Sequence, residues 1–205
     1  MGTQSNFAMS RRTLLVAGAG LVFSTALPAP ASSSAIREYR LVAARGRAAL
    51  VGRDHPDTEV WTYNGTVPGP EIRVRQGERL RVIVEKRLEE ETTVHWHGLR
   101  VPNAMDGVPH LTQKPIAPGE SFVYEFDAPD AGTYWYHPHV RSFEQVGRGL
   151  YGPLIVEEFE PIRIDRDVTW VIDDWRLRSN AQISGGFGNM MEATMAGRFG
   201  NTVTV

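Results

Sequence analysis

Apolar and polar residues alternate along "EIRVRQGERLRVIVEKRL", residues 71–88, and this alternation constrains the fold more than any other feature of the chain. Successive residues of a β-strand face opposite sides of a sheet, so a period of two predicts strands with one buried side. A turn centred on Gly77 divides the segment into two strands. Their buried sides are predicted to carry Ile72, Val74, Leu80, Val82 and Val84.

The same alternation returns in "SFVYEFDAP", "GTYWYHPHV" and "GPLIVEEFE", which are separated by the turn sequences "APGE", "PDAG" and "GLYG". No long segment between residues 36 and 158 has the period of an amphipathic helix. We therefore expect an all-β sandwich or closed barrel of about seven to nine strands, with at most local helix around "RSFEQVGRG". The arginine-rich segment 36–50 is expected to be an edge strand with charged faces.

The first 35 residues have the pattern of a cleaved export signal. Arg11 and Arg12 precede the apolar run "LLVAGAGLVFSTAL", and Ala29 and Ala31 form an A-x-A cleavage site, so the mature chain is expected to begin near Ser32. The segment "SRRTLLV" resembles the twin-arginine export motif. Because the apolar run contains glycines and is shorter than the roughly 20 residues of a membrane-spanning helix, we predict a periplasmic or extracellular protein with no membrane contact after cleavage.

Composition limits the partners and the metal ligands that this sequence can offer. The 205 residues carry a formal net charge of −2, so there is no electrostatic basis for binding nucleic acid. The sequence contains no cysteine, which excludes disulfides and thiolate ligands among these residues. A metal would therefore need histidine, carboxylate or methionine ligands.

The chain is expected to have three regions. The charged segment "EFEPIRIDRD" at 158–167 contains Pro161 and predicts a linker. The residues after it hold one clear strand pattern in "VTWVIDDWRL", a glycine-rich stretch and a short terminal run, which is too little for a second sandwich. We expect a signal peptide at 1–35, a first domain at 36–158, and at 159–205 a linker with the start of a second domain, in a C-terminally truncated sequence.

Four of the six histidines form two His-x-His pairs, "HWH" at 95–97 and "HPH" at 137–139. Residues i and i+2 of a strand project to the same side about 6.6 Å apart, so four imidazoles converge if the two strands end near each other. In aromatic surroundings, protonated rings would repel one another and be poorly solvated, whereas metal binding uses the neutral form. The affinity order favours copper, and a single tetrahedral zinc site of four histidines stays open as the alternative.

Three segments carry a resemblance to a known family. They are "YNGTVPGPEIRVRQGERLRV", "TTVHWHGLRVPNAMDGVPHLTQKPIAPGESFVYEF" and "AGTYWYHPHVRSFEQVGRGLYGPLIVEE". Together they closely resemble the N-terminal cupredoxin (plastocyanin-like) domain of multicopper oxidases, and residues 168–205 are similar to the opening of the second domain in bacterial members. The resemblance implies an all-β Greek-key sandwich or barrel followed by the start of a second cupredoxin domain.

The resemblance also implies a role for each matched residue. His95 would bind a type 2 copper and His97 a type 3 copper, while His137 and His139 would each bind a type 3 copper. The complete trinuclear copper cluster would reduce dioxygen to water with electrons from a small reducing substrate, a phenol or a metal ion. Asp106 matches a carboxylate that helps to deliver protons in the family, and a plain Asp-Gly turn is its alternative interpretation.

Because this sequence has no cysteine, the family's His-Cys-His type 1 copper site would have to lie in C-terminal cupredoxin domains that this chain lacks. The leading interpretation is the N-terminal part of an exported multicopper oxidase. Two alternatives stay open. One is a non-catalytic copper-binding or structural cupredoxin of the cell envelope, and the other is a short copper subunit that builds its cluster between chains.

Several other residues are weaker candidates for metal binding. His55 is predicted to be a solvated loop residue, and His110 a loop imidazole rather than a ligand. The methionines are expected to fill gaps in a core rather than to bind cuprous copper. These are Met190, Met191 and Met195.

Overall fold

The computed structural model of the chain describes residues 36–195 and 197–205. The export signal predicted over residues 1–35 lies outside the described residues. Within those residues, no helix combines the length and the hydropathy needed to cross a bilayer.

Eight strands between residues 36 and 157 form two four-stranded sheets, within the range predicted from the sequence. The first sheet has the order β2-β1-β4-β6. Its strands are β1 (Ile36–Ala48), β2 (Thr58–Tyr63), β4 (Arg79–Lys86) and β6 (Ser121–Asp127). The second sheet has the order β3-β8-β7-β5. Its strands are β3 (Ile72–Arg75), β5 (His95–His97), β7 (Gly132–His137) and β8 (Gly152–Glu157).

One apolar core joins side chains of both sheets, as the two-residue period predicts. The five residues predicted to be buried on β3 and β4 are all at most 1% exposed. They are Ile72, Val74, Leu80, Val82 and Val84. The predicted local helix is also present, as helix α1 (Ser142–Gln145) followed by a 3₁₀ turn at Val146–Arg148.

Strand β1 lies inside the first sheet, so the prediction of an edge strand was wrong. Its first part pairs in parallel with β4, from Ile36 opposite Arg79, and its second part pairs antiparallel with β2. The outward charges that suggested an edge are matched across the sheet, since Arg40 forms an ion pair with Glu85 of β4. Charge alternation alone does not distinguish an exposed edge from an exposed face whose charges are paired across strands.

Residues after 158 contain little regular structure. The pattern that begins at residue 168 forms a strand only at β9 (Asp173–Trp175), which pairs with β10 (Thr202–Thr204). Trp175 and Leu177 pack against Val60 and Tyr151 in a second, smaller apolar cluster. The Thr58 hydroxyl also donates a hydrogen bond to the carbonyl of Ala181, at 2.6 Å, so this segment is attached to strand β2.

A short helix, α2 (Met190–Met195), lies between β9 and β10. Met190 and Met191 are 75% and 73% exposed, so the expectation that they fill a core was wrong for these two residues. The side chain of Met195 is not among those described.

Candidate metal centre

His95, His97 and His137 lie on two neighbouring strands, and His139 lies two residues beyond the end of the second strand. Strands β5 and β7 pair antiparallel at one end of the second sheet, and His95 stands directly opposite His137. Trp96, between the first two histidines, points the other way and is fully buried, with its ring 5.2 Å from that of Phe126. The strand pleat thus anchors the tryptophan in the core and projects the histidines away from it.

The four imidazoles converge, as predicted from the spacing. The ring centroid of His95 lies 5.7 Å from that of His97, 5.5 Å from His137 and 5.2 Å from His139. Possible ligand atoms of His95, His97 and His137 all lie within 4.8 Å of one another. His139 is outside this tighter group, and its ring is 6.3 Å from that of His137.

Backbone carbonyls determine which ring nitrogens are free. The Nδ1 of His95 is 2.8 Å from the carbonyl oxygen of Asp106, and the Nδ1 of His137 is 2.9 Å from that of Pro138. Each Nδ1 donates its hydrogen to that carbonyl, so each Nε2 is left with its lone pair. The Nε2 of His137 faces the Nδ1 of His97 at 3.2 Å.

The environment keeps His137 neutral. Its side chain is buried, and burial lowers its pKa to about 4. The hydrogen bond to Pro138 opposes this shift, and the neighbouring histidines add to it. At neutral pH the ring is therefore in the form that binds metals. By contrast, His97 and His139 are exposed in the described chain.

An Asp-Gly turn packs directly against the first histidine strand. Asp106 caps a 3₁₀ turn at Asn103–Met105, its carbonyl accepts the His95 hydrogen bond, and its carboxylate Oδ1 lies 3.3 Å from the same nitrogen. Gly107 has a φ of +75°, and a Cβ at this position would lie 1.9 Å from the carbonyl oxygen of Val94. The Asp-Gly turn considered in the sequence analysis is therefore present, and it also contacts the histidine cluster.

An indole covers one side of the cluster. Trp135 stacks on His137 with 4.1 Å between ring centroids, and on His97 with 5.0 Å. Sequence reasoning noted this aromatic residue but did not predict that it orients two imidazoles.

The two remaining histidines lie outside the cluster, and two buried polar residues lie beside it. His110 is 74% exposed and 4.0 Å from Glu91, and His55 is exposed in a loop, so neither joins the cluster. Thr93 and Gln145 are buried beside the histidine segments and were not identified from the sequence. Both lie in segments that resemble the family, but their residue types gave no sign of a contact with the histidine segments.

Comparison with known proteins identifies the family. A family model described as multicopper oxidase matches residues 47–160. The chain is 37% identical over 177 residues to multicopper oxidase MmcO of Mycobacterium tuberculosis, covering 85% of this chain and 34% of that protein. It is 42% identical over 124 residues to a copper resistance protein A homolog of Pseudomonas syringae pv. tomato, covering 60% of this chain and 21% of that protein.

Solved structures of multicopper oxidases also match this chain. A multi-copper oxidase from Pseudomonas thermotolerans superposes with a TM-score of 0.80 at 43% identity, over 84% of this chain and 42% of that one. The chain thus spans between about a fifth and two fifths of the length of the relatives it matches. The predicted cupredoxin fold is confirmed, and the chain belongs to the multicopper oxidase family.

Proposed function

We propose that this chain supplies four histidine ligands to the trinuclear copper cluster of an exported multicopper oxidase. The single observation that carries the proposal is the convergence of His95, His97, His137 and His139, with ring centroids of 5.2 to 5.7 Å between His95 and the other three. The complete enzyme would oxidise a small reducing substrate, a phenol or a metal ion, and reduce dioxygen to water.

The nitrogen geometry fits a metal ion. The Nδ1 of His97 and the Nε2 of His137 lie 3.2 Å apart, a separation at which two ring nitrogens share either a proton or a metal ion. Imidazole nitrogens bind at about 2.0–2.1 Å, so two ligands of one ion at angles near 90–110° stand about 2.9–3.4 Å apart. The observed separation lies within that range. His97 and His137 would therefore bind the same type 3 copper, through Nδ1 and Nε2.

The other two histidines would serve different ions. His95 presents its free Nε2 away from the Asp106 carbonyl and would bind the type 2 copper. His139, outside the tighter group, would bind the second type 3 copper. Bound copper would supply the one-electron chemistry through which four electrons reach dioxygen. Imidazole ligands with carbonyls on their second nitrogens are a donor set that suits copper.

Asp106 would serve as the proton donor of the site. Reduction of dioxygen to water consumes protons, and a carboxyl group in contact with the cluster can hold one for transfer. Its Oδ1 lies 3.3 Å from the Nδ1 of His95, and the side chain is 33% exposed, so it contacts both the ligand and the solvent.

The rest of the enzyme would come from further cupredoxin domains. The 205 residues contain no cysteine for a type 1 copper site, and the matched part covers only 42% and 21% of two of the relatives. Substrate oxidation at a type 1 site and the remaining cluster ligands are accordingly assigned to residues beyond these. Residues 159–205 would open the second domain, and the predicted signal at 1–35 would direct the protein to the periplasm or the cell exterior.

Copper content tests the proposal. The exported full-length product is prepared as wild type and as a His95→Ala, His137→Ala double variant, and copper is measured by atomic spectroscopy after dialysis against a chelator. We expect the double variant to lose the copper of the trinuclear cluster, together with dioxygen consumption measured with an oxygen electrode. The control is His55→Ala, which removes an exposed histidine away from the cluster.

Copper retention in the double variant equal to that of the wild type would contradict the site assignment. If the double variant loses copper as expected but the wild type consumes no dioxygen, the result would instead support the non-catalytic copper-binding alternative.

A further inference from the structure

The fourth histidine is held differently from the other three. The β5–β7 pairing includes His95, His97 and His137, whereas β7 ends at His137. His139 therefore lies beyond the hydrogen-bonded ladder. Its side chain is exposed, so core packing does not hold the ring at its distance of 5.2 Å from His95.

A buried threonine hydroxyl reaches the backbone of this residue. The His139 N–H donates a hydrogen bond to the Oγ1 of Thr93 at 3.2 Å. Thr93 is fully buried and lies two residues before His95 on the same segment. One hydroxyl thus joins the two histidine segments at a point that the β-ladder does not reach.

A buried glutamine makes a second connection. The Thr92 hydroxyl donates to the Oε1 of Gln145 at 2.7 Å, and the Nε2 of Gln145 donates to the carbonyl of Glu91 at 2.9 Å. Gln145 is 2% exposed and ends helix α1, which follows His139 in the chain. Its amide therefore attaches the segment after His139 to the segment before His95.

We propose that Thr93 and Gln145 are positioning residues that hold His139 in place for its metal. The inference rests on the proposed role of His139 as a copper ligand. Side chains that orient metal ligands typically change metal affinity by about 10- to 100-fold when they are removed. The same range is expected here for the copper ion that His139 binds.

Two substitutions of Thr93 distinguish the contribution of its hydroxyl group from that of its side-chain volume. Thr93→Val keeps the shape and removes the acceptor, whereas Thr93→Ser keeps the acceptor. Thr62→Val is the matched control, because Thr62 is 1% exposed and donates one hydrogen bond to the Ala44 carbonyl at 3.1 Å, on the other sheet. Gln145→Met provides a second variant of similar length that lacks the amide.

The first measurement needs no copper. Amide hydrogen exchange of the His139 N–H, followed by NMR in the metal-free full chain, should accelerate at least about tenfold in Thr93→Val. It should return to the wild-type rate in Thr93→Ser and stay unchanged in Thr62→Val. A wild-type exchange rate in Thr93→Val overturns the inference.

The second measurement is copper affinity. Full-length protein is loaded with copper and titrated with a competing chelator, and we expect Thr93→Val and Gln145→Met to release one copper ion at about 10- to 100-fold lower chelator concentration. Release within twofold of wild type in both variants overturns the inference, provided that His139→Ala does lose copper. Full copper retention in His139→Ala would overturn the ligand assignment itself, and this inference with it.

Discussion

Replacement of Gly107 by alanine tests whether the Asp-Gly turn must lie against the first histidine strand. A Cβ at residue 107 would lie 1.9 Å from the carbonyl oxygen of Val94 and 3.0 Å from the backbone nitrogen of His95. Carbon and oxygen atoms in close contact lie about 3.3 Å apart, so the turn would have to move by roughly 1.4 Å. A movement of that size breaks the 2.8 Å hydrogen bond between His95 and the Asp106 carbonyl.

Three effects contribute to the expected loss of stability. A φ of +75° costs an alanine about 1–2 kcal/mol. Relief of the overpacking costs about 1–3 kcal/mol, and loss of the His95 hydrogen bond about 1 kcal/mol. We therefore expect Gly107→Ala to lower the free energy of unfolding by about 3–6 kcal/mol.

Gly119→Ala isolates the clash. Gly119 has a φ of +81°, and a Cβ there would meet no atom within 4 Å, so only the backbone strain of about 1–2 kcal/mol applies. Urea unfolding of metal-free protein, followed by tryptophan fluorescence, measures both variants. Equal losses in the two proteins would refute the close approach.

Three further predictions concern other buried side chains. In metal-free protein, the low pKa of His137 means that the folded state binds fewer protons than the unfolded state between about pH 4 and 6.5. The free energy of unfolding should therefore fall by on the order of 3 kcal/mol as the pH drops through that window, and His137→Gln should flatten this dependence. Tyr124→Phe leaves the Val94 N–H without its acceptor at 2.8 Å and should cost about 1–3 kcal/mol, measured by urea unfolding. Trp175→Ala removes a 2% exposed side chain from the second apolar cluster and should cost about 3–5 kcal/mol in one cooperative thermal transition.

Each of these predictions has an outcome that contradicts it. An unchanged pH dependence in His137→Gln would mean that this ring is as well solvated in the folded protein as in the unfolded chain. For Tyr124→Phe, a loss no larger than that of Tyr134→Phe, whose hydroxyl is half-buried, would mean that the Val94 N–H finds another acceptor. Unfolding of Trp175→Ala in two separate transitions would mean that residues 159–205 fold independently of the first domain.

Much of the fold was predictable because apolar and polar residues alternate along its strands. Alternation assigned the buried sides of β3 and β4, and it also placed His95 and His97 on one side of β5, whereas His139 lies beyond the end of β7. The wrong prediction for strand β1 shows what the alternation does not indicate, namely the place of a strand within its sheet. Its charged residues face solvent on an inner strand, and the partners that allow this, such as Glu85 for Arg40, are distant in sequence.

The interactions that orient the histidines were not predictable in the same way. Each of these interactions is a hydrogen bond to a common kind of group. His95 and His137 donate to the backbone carbonyls of Asp106 and Pro138, and the backbone N–H of His139 donates to the Thr93 hydroxyl. A backbone carbonyl has no sequence signature. Gly107 is the exception, since a glycine after aspartate marks a turn, although the sequence does not indicate which strand that turn contacts.

The residue between His95 and His97 connects their backbone to the hydrophobic core. Trp96 is fully buried against Phe126 and Tyr124, so the backbone that carries His95 and His97 is part of the hydrophobic core. Protein cores are close-packed, and a shift of the tryptophan would displace both histidines together. The spacing of His95, His97 and His137 follows from the strand pleat and the core, whereas the backbone N–H of His139, beyond the end of β7, donates to the Thr93 hydroxyl.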